Sequence, residues 1–302
     1  MNSPSPRLPE VSLDDTGLAQ ALAEGAAEVL LALRAEVDAA GGDFDPKAFK
    51  DAGDAAAQDW LARALGAARP GDAVLSEEAK DDASRTGADR VWIIDPLDGT
   101  REFAERHTGT DGEAGTWRDD FAVHVALWER GSGLTVGAVG LPGRGAVLTT
   151  ADTTPGGPAD PEAVLAGDRP LRIAASRSRP PEFVAALAER DDVELVPMGS
   201  AGVKVISVAG GTVDAYVHGG GQYEWDSAAP VAVAQARGLV CTRLDGSPLE
   251  YNRESPWLPD LFVCHAALAP RLRELLDSVG VSSVASTTEA VASVVSTSKE
   301  GA

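Results

Sequence analysis

Cysteine is nearly absent: Cys241 and Cys264 are the only two in 302 residues. That excludes a disulfide framework, and without a paired short spacing it also excludes a zinc site built of thiolates. Basic residues are scarce as well, 26 against 47 acids, and the net charge is −21 at neutral pH. Such a balance argues against a nucleic-acid polymer or an anionic membrane as a partner held through a basic surface. Long apolar runs are missing too. No segment reaches 18 uncharged apolar residues and the first thirty show no basic stretch followed by an apolar one, so the chain reads as cytoplasmic.

With 44% hydrophobic residues the chain can bury a large core, in one domain or two. No repeat of fixed period is visible. Residues 1–10, rich in Pro and Ser, read as a flexible leader, 11–155 as an N-terminal α+β half, 156–280 as a C-terminal α/β half, and 281–302 as a disordered tail. The boundary falls in the Pro- and Gly-rich stretch 149–169.

The chain is organised around Arg90-Val91-Trp92-Ile93-Ile94-Asp95-Pro96-Leu97-Asp98-Gly99-Thr100-Arg101-Glu102-Phe103. Val91 to Ile94 predicts a buried strand, which Pro96 and Gly99 would end in a tight turn. Asp95 and Asp98 then leave the strand end together, and with the Leu97 carbonyl they can converge on one hard cation. Thr100 to Arg106 has helix-forming composition, which would leave the N–H groups of Gly99 and Thr100 free to meet an anion. Asp-Pro-x-Asp-Gly is also ordinary turn chemistry, and the stretch alone supports either reading.

Elsewhere the expectations are mostly structural. Leu13 to Ala39 and Ala55 to Leu65 read as helices, the second with Asp54 as a capping residue. Glu77 and Glu78 follow a short strand, and only one of two successive strand residues can face a site. His124, the one polar side chain in the apolar strand Phe121 to Trp128, reads as a satisfied core histidine. His107 to Asp119 reads as a mobile loop that could cover a site. Ser176-Arg177-Ser178, at a strand-to-helix turn, could grip a phosphate. Ser200 reads as an N-cap with Lys204 one turn along the same face. Thr212 to Val217 reads as a strand stopped by Gly219-Gly220-Gly221, and Asp226 as the N-cap of a helix containing Pro230.

Glu77 after a strand, Asp95-Pro96-Leu97-Asp98-Gly99-Thr100, and Trp225-Asp226-Ser227-Ala228-Ala229 occur in this order. The combination resembles the inositol monophosphatase-like, magnesium-dependent, lithium-sensitive phosphatase superfamily, over roughly Lys50 to Cys264. Gly-Thr-Arg-Glu-Phe at 99–103 looks like its 3'(2'),5'-bisphosphate nucleotidase branch. The resemblance implies an α+β fold layered α-β-α-β-α, of a kind in which homodimers are common. It implies two or three Mg²⁺ held by Glu77, Asp95, Asp98, Asp226 and the Leu97 carbonyl, with Asp54 and Thr100, and Glu77 through its metal, activating water. Gly99, Thr100 and Arg101, with Ser176, Ser200, Lys204 and Asp226, would contact a small phosphorylated nucleotide. The implied reaction takes 3'-phosphoadenosine 5'-phosphate to AMP and phosphate, a clearance step in sulfate assimilation. One departure is that Lys50-Asp51-Ala52-Gly53-Asp54 lacks the threonine usual before the aspartate. Inositol-1-phosphate or fructose-1,6-bisphosphate hydrolysis is the rival reading, and a non-catalytic metal- and phosphate-binding regulator is the rival from another class.

Overall fold

The computed structural model describes residues 6–108, 115–154 and 160–281. It opens with α1 (Asp15–Ala39), whose first turn is capped by the Asp14 carboxylate accepting the Gly17 N–H at 2.7 Å. α2 (Pro46–Ala68) follows, capped by Asp45 and with Pro46 in its first turn. Asp54 therefore lies inside a helix instead of capping one. Asp45 and Pro46 together are the stronger start signal, and the alanines beyond carry the helix onward. α1 is long and apolar enough to match a membrane span by length and composition, yet its stripe of Leu18, Leu22, Ala26 and Leu30 is wholly buried against the protein's own core.

β1 (Ala73–Ser76) lies parallel to β2 (Arg90–Asp98), which passes through Gly99 into the single turn α3 (Thr100–Phe103). β3 (Ala122–Glu129), β4 (Gly133–Leu141) and β5 (Ala146–Thr149) then add antiparallel neighbours, giving a first sheet in simple sequence order. β2 does not stop at Pro96 as expected. It runs on to Asp98 with a register shift between Asp95 and Asp98, an irregularity where proline is tolerated and where both carboxylates are re-aimed.

After α4 (Pro161–Ala166) the chain forms β6 (Leu171–Ser176), α5 (Glu182–Leu187), β7 (Val193–Met198), α6 (Ala201–Ala209) and β8 (Ala215–Tyr223). α7 (Glu224–Ala236), β9 (Leu239–Thr242), β10 (Trp257–His265) and α8 (Ala269–Ser278) complete it. The second sheet has the order β7-β6-β8-β10-β9. β8 runs through the three glycines to Tyr223, because pairing with β10 continues past them. α7 in consequence starts at Glu224, which puts Asp226 in its first turn and Pro230 in its interior. β5 and α4 were not expected from the sequence.

Five layers result. α1 and α2 cover the outer face of the first sheet around Leu22, Leu61, Trp92 and Val125. α6 and α7 lie between the sheets, among Val139, Val203, Val231 and Val263. α5 and α8 close the far face over Ile173, Val184 and Leu272. The middle layer explains why α6 is buried almost all round, from Gly202 to Ala209: a helix with a sheet on each side has no solvent face. The expected leader, the loop at 107–119 and the tail fall wholly or partly outside the described residues.

Candidate metal centre

Four acids meet where the two sheets and the middle layer converge. Glu77 follows β1, Asp95 and Asp98 come from the irregular end of β2, and Asp226 from the first turn of α7. Asp95, Asp98 and Asp226 each offer an oxygen lying within 4.8 Å of the others. Asp95 has no solvent exposure; its Oδ1 accepts the Leu97 N–H at 2.9 Å, but its Oδ2 is buried without a hydrogen-bond partner. An orphaned carboxylate oxygen inside a protein is costly, and an all-oxygen donor set suits a hard divalent cation. These residues therefore fit the metal expected of them.

The electrostatics point the same way. Burial first, then the charges of Glu77, Asp98 and Asp226, holds the Asp95 carboxyl well above the usual carboxylate range. Glu77 is exposed as a residue, yet its carboxyl turns into the cluster, where lost hydration and then Asp226 and Asp98 lift it to about 7. Asp226 is raised to about 6, by burial and then by Asp98. Asp98 goes the other way. Burial pushes it up, but His124, the Ser200 hydroxyl and the Gly202 N–H outweigh that and hold it at about 2. The site thus contains one anchored anion and three carboxyls whose ionisation burial and one another's charge disfavour, a cost that a bound cation would relieve.

Asp54, on α2, faces Thr100 across the site, with Oδ1 3.4 Å from Thr100 Oγ1. Its pKa is raised to about 6 by burial and then by Glu78. Thr100 Oγ1 also lies 3.0 Å from the Leu97 carbonyl, so this one hydroxyl, with a single proton to give, touches both the candidate activating acid and a candidate ligand. Gly99 precedes α3 with φ of +85°, a left-handed conformation that glycine adopts without strain, and a Cβ there would press on the Asp120 carbonyl and on Ser200.

The second half supplies support more than open donors. Ser200, with φ of +52°, caps α6; its hydroxyl donates to Asp98 Oδ2, and the Gly202 N–H reaches the same oxygen at 2.7 Å. Lys204 Nζ donates to the Ser200 carbonyl at 2.7 Å, and both residues are buried. Ser200 and Lys204 accordingly sit behind Asp98. Ser176 accepts the Arg179 N–H at 3.3 Å, whereas the neighbouring Arg177, expected to grip phosphate, is paired with Glu102 and Glu105. Arg101 is exposed on α3.

Two residues that the sequence did not connect with the site lie beside it. His124 is buried within the acid cluster, 3.3 Å by Nε2 from Asp98 Oδ2. Arg34, on α1, donates to the carbonyls of Glu102, Phe103 and Arg118 while lying over the rings of Phe103, Trp117 and Phe121. It satisfies the free carbonyls at the end of α3 and so fixes the turn that begins at Thr100. A charge at helical spacing from the apolar Leu30 was the available signal.

A five-layered α+β fold with a hard-cation cluster between its sheets defines the class, that of the layered metal-dependent phosphatases. The chain belongs to the inositol monophosphatase family, whose model matches residues 14–279. It is 46% identical over 280 residues to the 3'-phosphoadenosine 5'-phosphate phosphatase of Mycobacterium leprae, covering 89% of this chain and 96% of that one. Against the protein of the same name from Mycobacterium bovis it is 50% identical over 251 residues, 82% of this chain and 87% of the other. Among solved structures, CysQ from Bacteroides thetaiotaomicron superposes with a TM-score of 0.65 at 25% identity, covering 83% of this chain and 97% of that one.

Proposed function

We propose that the protein is a Mg²⁺-dependent phosphatase that hydrolyses the 3'-phosphate of 3'-phosphoadenosine 5'-phosphate, giving AMP and inorganic phosphate. The observation that carries the reading is the convergence of Asp95, Asp98 and Asp226 around the unpartnered Asp95 Oδ2. The substrate is supported by the names of two relatives, of which the chain covers 96% and 87%.

In this reading Glu77, Asp95, Asp98, Asp226 and the Leu97 carbonyl hold the ions. When bound, these supply Lewis-acid polarisation of the phosphoryl oxygens and a water of lowered pKa. With the Leu97 carbonyl turned to an ion, Asp54 accepts the hydrogen bond of the Thr100 hydroxyl, leaving the hydroxyl oxygen to accept from the attacking water and orient it. The N–H groups of Gly99 and Thr100 take phosphoryl oxygens. The water oxygen bonds to phosphorus, the bond from phosphorus to O3' breaks, and the departing oxygen takes a proton. Arg101 and Ser176 contact the rest of the nucleotide, while Ser200 and Lys204 act through Asp98. A cytoplasmic location and a homodimer belong to the same reading.

The test is phosphate release from 3'-phosphoadenosine 5'-phosphate, inositol-1-phosphate and fructose-1,6-bisphosphate in parallel, with Mg²⁺ and with Mg²⁺ plus lithium. Preferred, lithium-inhibited release from the nucleotide is the expected result. Preference for either sugar phosphate would discard the nucleotide reading and keep the metal site.

A further inference from the structure

His124 lies in the middle layer's contact with β3, fully buried, with an acceptor on each side of its ring. Nδ1 is 3.0 Å from the carbonyl oxygen of Trp225, the residue immediately before Asp226. Nε2 faces Asp98 Oδ2 at 3.3 Å, off the line of a good hydrogen bond, and Nδ1 is 3.8 Å from Asp95 Oδ2. The ring therefore spans the two elements that bring the acids together, β2 and α7. Space for it is kept by Gly202, where a Cβ would fall 2.0 Å from His124 Nε2. The same Gly202 gives its N–H to Asp98 Oδ2. An ordinary core side chain would need none of this matching.

We propose that His124 is a positioning residue for the metal centre: it packs its Nε2 edge against Oδ2 of Asp98 while its Nδ1 holds the backbone ahead of Asp226, and so sets the separation of two ligands on different elements. Residues that orient ligands typically change metal affinity or activity ~10–100-fold when removed. The proposal rests on the metal-dependent reading of the cluster and adds a residue to it.

The test compares Mg²⁺ affinity, read by titration calorimetry and by the Mg²⁺-induced rise in Tm of the full chain, for the wild type and three variants. His124→Leu removes both polar contacts. His124→Asn keeps a donor near the Nδ1 position and His124→Gln one near Nε2, and these two are polar replacements less disturbing to folding. Expected are a Mg²⁺ dissociation constant raised ~10-fold or more in His124→Leu, smaller losses in Asn and Gln, and a larger effect on the Mg²⁺ requirement than on KM for substrate. Wild-type affinity for Mg²⁺ in the Leu variant, or in both Asn and Gln, would overturn the proposal. If the wild type itself neither binds Mg²⁺ nor gains Tm, the metal reading fails and His124 falls with it.

Discussion

The Gly202 N–H donates to Asp98 Oδ2 at 2.7 Å, so a carboxylate from β2 in the first sheet helps to cap α6 in the middle layer. Asp98 is thus both a candidate ligand and part of the joint between the two sheets. Asp95, three residues away, receives a single N–H and has its other oxygen unpartnered. The two aspartates should respond oppositely to substitution.

Asp95→Asn and Asp98→Asn are each expected to abolish Mg²⁺-dependent turnover. Metal-free stability should diverge between Asp95→Asn and Asp98→Ala. Asp95→Asn removes a buried carboxyl whose ionisation burial and its neighbours oppose and should raise Tm at alkaline pH, whereas Asp98→Ala strips the acceptor from Ser200 and Gly202 and should cost roughly 2–3 kcal/mol. Urea denaturation in EDTA measures both; equal effects of the same sign would contradict this description of the site.

The pH dependence follows from the direction of the shifts. Glu77 is raised to about 7 and Asp226 to about 6, above the values they have when unfolded. Stability from such groups is intact below the unfolded pKa, near 4, and is lost as pH rises through the folded one. The metal-free protein should therefore lose stability between about pH 4 and 7. Bound Mg²⁺ opposes that loss, so the Tm gain on adding Mg²⁺ should be larger at pH 8 than at pH 5, as a pair of thermal melts would read.

Gly25 lies in the middle of α1, where alanine would normally gain about 1 kcal/mol of helix propensity. Here a Cβ would fall 2.1 Å from the Trp60 ring of α2. Overpacking of that kind costs about 1–3 kcal/mol, so packing should outweigh propensity. Gly25→Ala is expected to lower the denaturant midpoint, and an increase would show that α1 and α2 can part without loss.

The acids were legible because metal ligation by carboxylates leaves a local mark: Asp95 and Asp98 sit together in a stretch whose strand and helix propensities are themselves readable. The boundaries around them were less so. A strand continuing through Pro96, or through Gly219 to Gly221, depends on pairing with a distant partner, which a local pattern does not carry. His124 is buried and bonded as a core histidine would be, and its place beside the acids was hidden for the same reason. Its hydrogen-bond partner is the Trp225 carbonyl, 101 positions further on, and its other nitrogen faces an aspartate on the neighbouring strand, so nothing near it in the chain shows that it lies beside the acids. Arg177 shows the converse, a local phosphate-binding pattern whose charge the fold spends on Glu102 and Glu105.

The most direct measurement is product analysis of 3'-phosphoadenosine 5'-phosphate hydrolysis in ¹⁸O-labelled water, by mass spectrometry, with Mg²⁺ and with EDTA. The expected products are AMP with its 5'-phosphate unlabelled and inorganic phosphate carrying one solvent oxygen, formed only when Mg²⁺ is present. Adenosine 3'-phosphate as product, or release undiminished by EDTA, would contradict the account.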